Sequence, residues 1–130
     1  MWLILIASIM RGIVAATTLL GNDEVYYVFY PERLQLNYFD HPIGVALFLK
    51  VFTLNGLLNH EFFIRFGSII CAALNTWLIY KTGSEIKNER TGWMAALLYN
   101  ASIYCSIIAG VFILPDSPQT ILWLLSLLLM

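Results

Sequence analysis

Apolar residues run almost unbroken from Trp2 to Leu20, with one charge, Arg11, near the middle. Gly21-Asn22 stops the run, and polar and aromatic residues then mix in short pieces as far as His60. Two further apolar stretches follow, about Phe62–Tyr80 and Trp93–Leu114, and a last one covers Gln119–Met130. Runs of this length predict membrane helices, because a hydrocarbon core about 30 Å thick takes roughly 20 apolar residues. The expected architecture is all-α: a polytopic membrane protein with about four transmembrane helices over 2–20, 62–80, 93–114 and 119–130. All belong to one domain, 1–130, with an outer loop over 21–61. The final run has 12 residues and would rise only about 18 Å as a helix. It is read as an incomplete span, so that the chain is a fragment of a longer protein or its last helix leans on a partner.

Within the outer loop, Pro31 and Pro42 divide the chain into short pieces. Asp23 can cap a helix that starts at Glu24 and ends near Tyr30. The 16 residues Ile43–Leu58 are apolar but interrupted by Lys50, Asn55 and Gly56, which predicts an interfacial or re-entrant helix rather than a span. Tyrosines and phenylalanines among acids suit a segment at the headgroup level. The first run carries no Lys or Arg before its apolar part and exceeds the 7–15 residues of a signal-peptide core, so it reads as a retained span.

Composition sharpens this picture. A chain 60% hydrophobic and 12% charged, with a mean hydropathy of +0.78, falls outside ordinary soluble domains. The formal charge of −1 leaves no basic patch for nucleic acid. Cys71 and Cys105 both lie in apolar stretches and read as small buried side chains. Lys81, Lys87 and Arg90 crowd the loop between the second and third runs, which assigns that loop to the cytoplasm. Asp23, Glu24, Asp40, His41 and Asp116 then share the outer face.

Those residues are the candidates for chemistry. A carboxylate at the end of a span keeps its charge when it meets a metal, an arginine or backbone N–H groups, and it can act as a general base. For Asp23 and Glu24 the alternative is helix capping at the interface. Asp40-His41 can bind a metal, orient one another or receive a phosphate. Asp116, between Pro115 and Pro118, either caps the next helix or joins Asp23 around a divalent ion or an acceptor. Arg11 either snorkels or is paired inside a bundle, or it faces a cavity that holds a substrate phosphate. No nucleotide-binding phosphate loop, glycine-rich dinucleotide motif or zinc-protease motif is present.

Taken together, Gly21-Asn-Asp-Glu-Val-Tyr-Tyr, Asn37-Tyr-Phe-Asp-His-Pro, Phe63-Ile-Arg-Phe and Leu114-Pro-Asp-Ser-Pro carry a resemblance. The chain is similar to the amino-terminal part of the membrane glycosyltransferases that use lipid-phosphate sugars, the dolichyl-phosphate-mannose protein mannosyltransferase and aminoarabinose transferase-like group with the GT-C fold. The resemblance implies that Asp23 is catalytic, with Glu24 as its companion. It implies that Asp40, His41, Arg65 and Asp116 belong to the substrate site, joined as binding candidates by Arg11, Tyr26 and Tyr27. Implied partners are a polyprenyl-phosphate-linked sugar, a protein or glycolipid acceptor, membrane lipid and the remaining transmembrane helices of a full-length protein. The implied location is the plasma (inner) membrane, with the active face away from the cytoplasm. A divalent metal, held by Asp23 and Asp116, is left open. The rival reading is a non-enzymatic membrane subunit or assembly protein, in which the acids serve topology and partner contacts.

Overall fold

Hydropathy alone does not register where a helix breaks, and the breaks decide this fold. The computed structural model describes residues 2–39, 41, 43–58 and 60–130. The described chain is almost entirely helical: α1 (Trp2–Thr17), α2 (Asn22–Val28), a 3₁₀ turn (Tyr30–Glu32), α3 (Gly44–Phe52), α4 (Glu61–Ile86), α5 (Glu89–Ala101), a π turn (Tyr104–Ile108), the short α6 (Ala109–Val111) and α7 (Asp116–Leu129). The helix α4 is the axis, and α1, α3, α5, α6 and α7 all pack on it. Its 26 residues rise about 39 Å. Among the described residues it alone is by itself long and apolar enough to cross a membrane.

The first and third expected spans are not continuous. The helix α1 stops at Thr17, and the following α2 segment leaves at 86°. The helix α5 stops at Ala101, and the π turn and α6 continue at 77°. Counting each bent pair as one span brings the membrane-length candidates to three. That composition and length are consistent with membrane association. The second break has a local cause: Ser102 adopts an extended backbone (φ −69°, ψ 124°), and its Oγ accepts the Cys105 N–H at 3.5 Å, starting a new turn as an N-cap does. Arg11 holds that turn from the side. Its Nε donates to the Ser106 carbonyl at 3.0 Å, and its Nη2 donates to Asn100 Oδ1 at 2.9 Å.

Two starts differ from the sequence expectation. Gly21, not Asp23, is the N-cap of α2. The last helix starts at Asp116 rather than Gln119, so Pro118 lies within its first turn. Proline is tolerated there because the first N–H groups of a helix have no internal partner. Ser117 fixes this start, donating its hydroxyl to the Ala109 carbonyl at 2.7 Å. The helix α3 has nine residues, a rise of about 14 Å, less than half of a hydrocarbon core. It buries Val45, Ala46 and Leu49 and ends before Leu54, Asn55 and Gly56, which all have positive φ.

The α4–α5 hairpin depends on backbone contact. Asn88 caps α5, its Oδ1 accepting the Thr91 N–H at 2.9 Å. A Cβ at Gly92 would clash with the Tyr80 carbonyl oxygen, a backbone neighbour that cannot rotate away. A Cβ at Gly44 would meet nothing within 4 Å. Gly92→Ala should therefore destabilise the protein by about 1–3 kcal/mol through overpacking. Gly44→Ala should stabilise it by about 0.5–1 kcal/mol through backbone entropy. Thermal unfolding of both variants in detergent checks the opposite signs.

Candidate functional site

Where α1 ends and α2 begins, one set of carbonyls and one set of N–H groups lose their helical partners. A buried ion pair satisfies both. Glu24 is 3% exposed and Arg65, near the start of α4, is fully buried. Arg65 Nε donates to Glu24 Oε1 at 2.9 Å and Nη2 to Oε2 at 2.6 Å, a side-by-side bidentate pair. The rest of the guanidinium caps α1: Nη1 donates to the carbonyls of Ala15 (3.0 Å) and Thr18 (2.7 Å), and Nη2 to that of Leu19 (2.9 Å). A cation at a helix carboxyl end also suits the helix dipole. The carboxylate does the converse, its Oε2 accepting the Gly21 N–H of the α2 start at 2.9 Å. Its Oε1 accepts the Ile113 N–H at 3.1 Å, from the link between α6 and α7. All five Arg65 donors and all four carboxylate acceptor positions are thus occupied. The Phe112 ring closes the site, its centroid 5.2 Å from Arg65 Cζ.

Asp23 lies one residue before Glu24, turned away from the lock by about 100° around the helix. It is exposed and makes no hydrogen bond or ion pair to a described residue. With Thr18, Leu19, Asn22, Ile108, Phe112 and Leu114 it lines a groove of about 590 Å³ that reaches down to Glu24. The groove is therefore lined by apolar side chains of the π turn and the α6–α7 link together with a carboxylate free of described protein partners.

Beside it stands an aromatic wall. Tyr27 Oη lies 2.8 Å from His41 Nε2, and Tyr26 packs edge-on against Tyr30. Tyr30 and Tyr38 stack at 3.8 Å with their planes 7° apart. This wall brings Tyr26, Tyr27 and His41 together, while Asp40 lies outside the described residues.

Two of the other candidates are placed differently from one another. Asp116, in the first turn of α7, accepts the Tyr104 hydroxyl at 2.6 Å. It follows Ile113 by three residues, so it sits at the same end of α4 as Glu24, but it does not line the Asp23 groove. Arg11 is 3% exposed and sealed inside the bundle between α1, α5 and the π turn. Among the described residues, no group of three or more His, Cys, Asp or Glu could hold a metal ion. The carbonyls of residues 15, 18 and 19 and the Ile113 N–H are functional groups that sequence reasoning missed, since a backbone atom has no residue-type signature. The one available signal was electrostatic: a Glu and an Arg bordering apolar runs each require a counter-ion.

Residues 40–130 match the family described as dolichyl-phosphate-mannose-protein mannosyltransferase, and the chain belongs to that family. The matched part contains His41, Arg65 and Asp116, while Asp23 and Glu24 precede it. Neither the curated proteins nor the solved structures provide a match.

Removing one partner of the lock leaves an uncompensated buried charge or unpaired donors. Glu24→Gln and Arg65→Met should each destabilise the protein by about 3–5 kcal/mol. The double variant should lose clearly less than the sum, because its partners fail together. A double-mutant cycle of unfolding free energies in detergent measures this coupling.

Proposed function

We propose that this chain carries the acceptor-activating part of a glycosyltransferase that takes its sugar from a polyprenyl-phosphate carrier and works on the non-cytoplasmic side of a membrane. The observation that carries this reading is the division of labour between adjacent carboxylates: Glu24 is fully engaged in the lock, while Asp23 is free at the rim of a groove. Family membership supplies the reaction class. A finer assignment, to the branch that includes both protein mannosyltransferases and aminoarabinose transferases, rests on the motif resemblance.

The topology reading has a geometric support. From Glu61 to Tyr80, the residue before Lys81, α4 rises about 29 Å, close to the hydrocarbon thickness. The Asp23 groove lies at the Arg65 end, and Lys87 and Arg90 lie just beyond the other. Basic residues favour the cytoplasmic side, which puts Asp23 and Asp116 outside in a multi-pass, plasma-membrane arrangement.

In the reaction, the lipid-linked sugar approaches from the bilayer and the acceptor from water. Asp23 accepts the proton of the acceptor hydroxyl as its oxygen attacks the anomeric carbon. The bond from that carbon to the phosphate oxygen breaks, the configuration inverts, and the lipid phosphate leaves with the electron pair. Arg65 has no N–H left for that phosphate, so its contribution is to hold the α1–α2 corner and hence Asp23 in place. Tyr26 is exposed and offers an aromatic face to substrate, while the buried Tyr27, with its His41 contact, supports it from behind.

The test is Asp23→Asn in the intact protein, assayed in membranes with a panel of lipid-linked sugars. Turnover should fall by about 10²–10⁴-fold, the usual contribution of a general base, with the unfolding midpoint unchanged. Wild-type turnover in that variant would remove Asp23 from the mechanism.

A further inference from the structure

The segment between the 3₁₀ turn and α3 holds its apolar side chains outward. Leu36 is 88% exposed, Phe39 is 95% exposed and Leu34 is also exposed. The backbone beneath them is fixed. The Tyr38 ring stacks on Tyr30, its hydroxyl lies 2.8 Å from the Tyr30 carbonyl and 3.0 Å from the Arg33 carbonyl, and it accepts the Gln35 N–H at 3.2 Å. The Tyr38 N–H also donates to the His41 carbonyl at 2.9 Å. Exposure is therefore built in by a pedestal and does not come from a slack loop.

We propose that Leu34, Leu36 and Phe39 form a tip that inserts into the lipid headgroup–acyl boundary beside the Asp23 groove. Two observations choose lipid over a protein partner. First, Tyr27 and Tyr30 of the pedestal pack with Val45 and Leu49 of α3 and with Ile64 in the first turn of α4. That places the tip's base at the end of the membrane-length helix, where a headgroup layer would lie. Second, between Glu32 and Asp40 the one formal charge is Arg33, which is exposed and has no ion pair among the described residues. A single cation beside apolar and amide side chains complements lipid phosphates over acyl chains. The tip holds the corner that carries Asp23 at the level where a lipid-linked substrate presents its phosphate.

This inference rests on the membrane placement of α4, and its experiment separates the two. Cysteines are introduced singly by Leu36→Cys, Phe39→Cys and Leu74→Cys in a Cys71→Ala, Cys105→Ala background, Leu74 being an exposed residue of α4. Each is spin-labelled in the intact protein and reconstituted into phosphatidylcholine–phosphatidylglycerol vesicles. Collision rates with oxygen, which partitions into lipid, are compared with those of a water-soluble nickel chelate. At positions 36 and 39 the oxygen rate should exceed the nickel rate, as it should at position 74. Nickel exceeding oxygen at 36 and 39 alone overturns the tip and leaves the membrane placement standing. Nickel exceeding oxygen at all three overturns both. Labels at 36 and 39 shielded from both reagents mean a protein cover, which also overturns the tip.

Discussion

The arrangement of this chain depends on a single buried ion pair that joins a broken helix to the membrane-length one. Breaking α1 from α2 at 86° frees carbonyls on one side and an N–H on the other. Arg65 supplies donors to the first and Glu24 supplies acceptors to the second, while the two charges neutralise one another. Buried charges are tolerated when every lone pair and proton finds a partner, and here each does. The Ile113 N–H adds the α6–α7 link to the same carboxylate. Three parts of the chain far apart in sequence, the α1–α2 corner, α4 and the α6–α7 link, thus meet at two side chains.

That geometry gives neighbouring acids different duties. A helix places consecutive residues about 100° apart, so fixing Glu24 inward leaves Asp23 turned to the surface. The proposed chemistry uses this directly: one carboxylate positions, and the other is free to take a proton. At the second break a buried arginine, Arg11, meets the Ser106 carbonyl of the π turn and the side-chain amide oxygen of Asn100, while its Nη1 has no hydrogen-bond partner among the described residues. Arginine appears at both bends because its fork of donors can serve several acceptors at once. The two sites differ in charge balance, since Arg65 faces a carboxylate and Arg11 has only neutral hydrogen-bond partners among the described residues.

The helical class and the apolar runs were legible in the sequence, because both rest on local composition. The helix α4 emerges from Phe62–Tyr80 with one residue added before it and six after it. The breaks at Thr17 and Ala101 were not legible: the first is held by Arg65, which reaches Leu19 across 46 residues, and the second is a single Ser102 cap inside an apolar run, steadied by Arg11 from 95 residues away. The candidate residues Asp23, Glu24, Arg65 and Asp116 could all be picked out as polar groups bordering apolar runs. Their roles could not be assigned: whether Glu24 is a catalytic companion or an anchor is decided by Arg65, 41 positions on. The proline-flanked Asp116 shows the same limit, because its partner Tyr104 sits on a π turn that no periodicity announces.

A generic salt bridge and a two-sided helix-break lock differ in one respect, which is orientation. A generic bridge survives exchange of its charges, whereas this one needs donors toward the α1 carbonyls and acceptors toward the Gly21 and Ile113 N–H groups. The most direct measurement is the unfolding free energy of the exchanged protein, Glu24→Arg with Arg65→Glu, beside the two single exchanges. The lock predicts that the exchanged protein recovers nothing over the worse single variant. Recovery to near wild-type stability would contradict it.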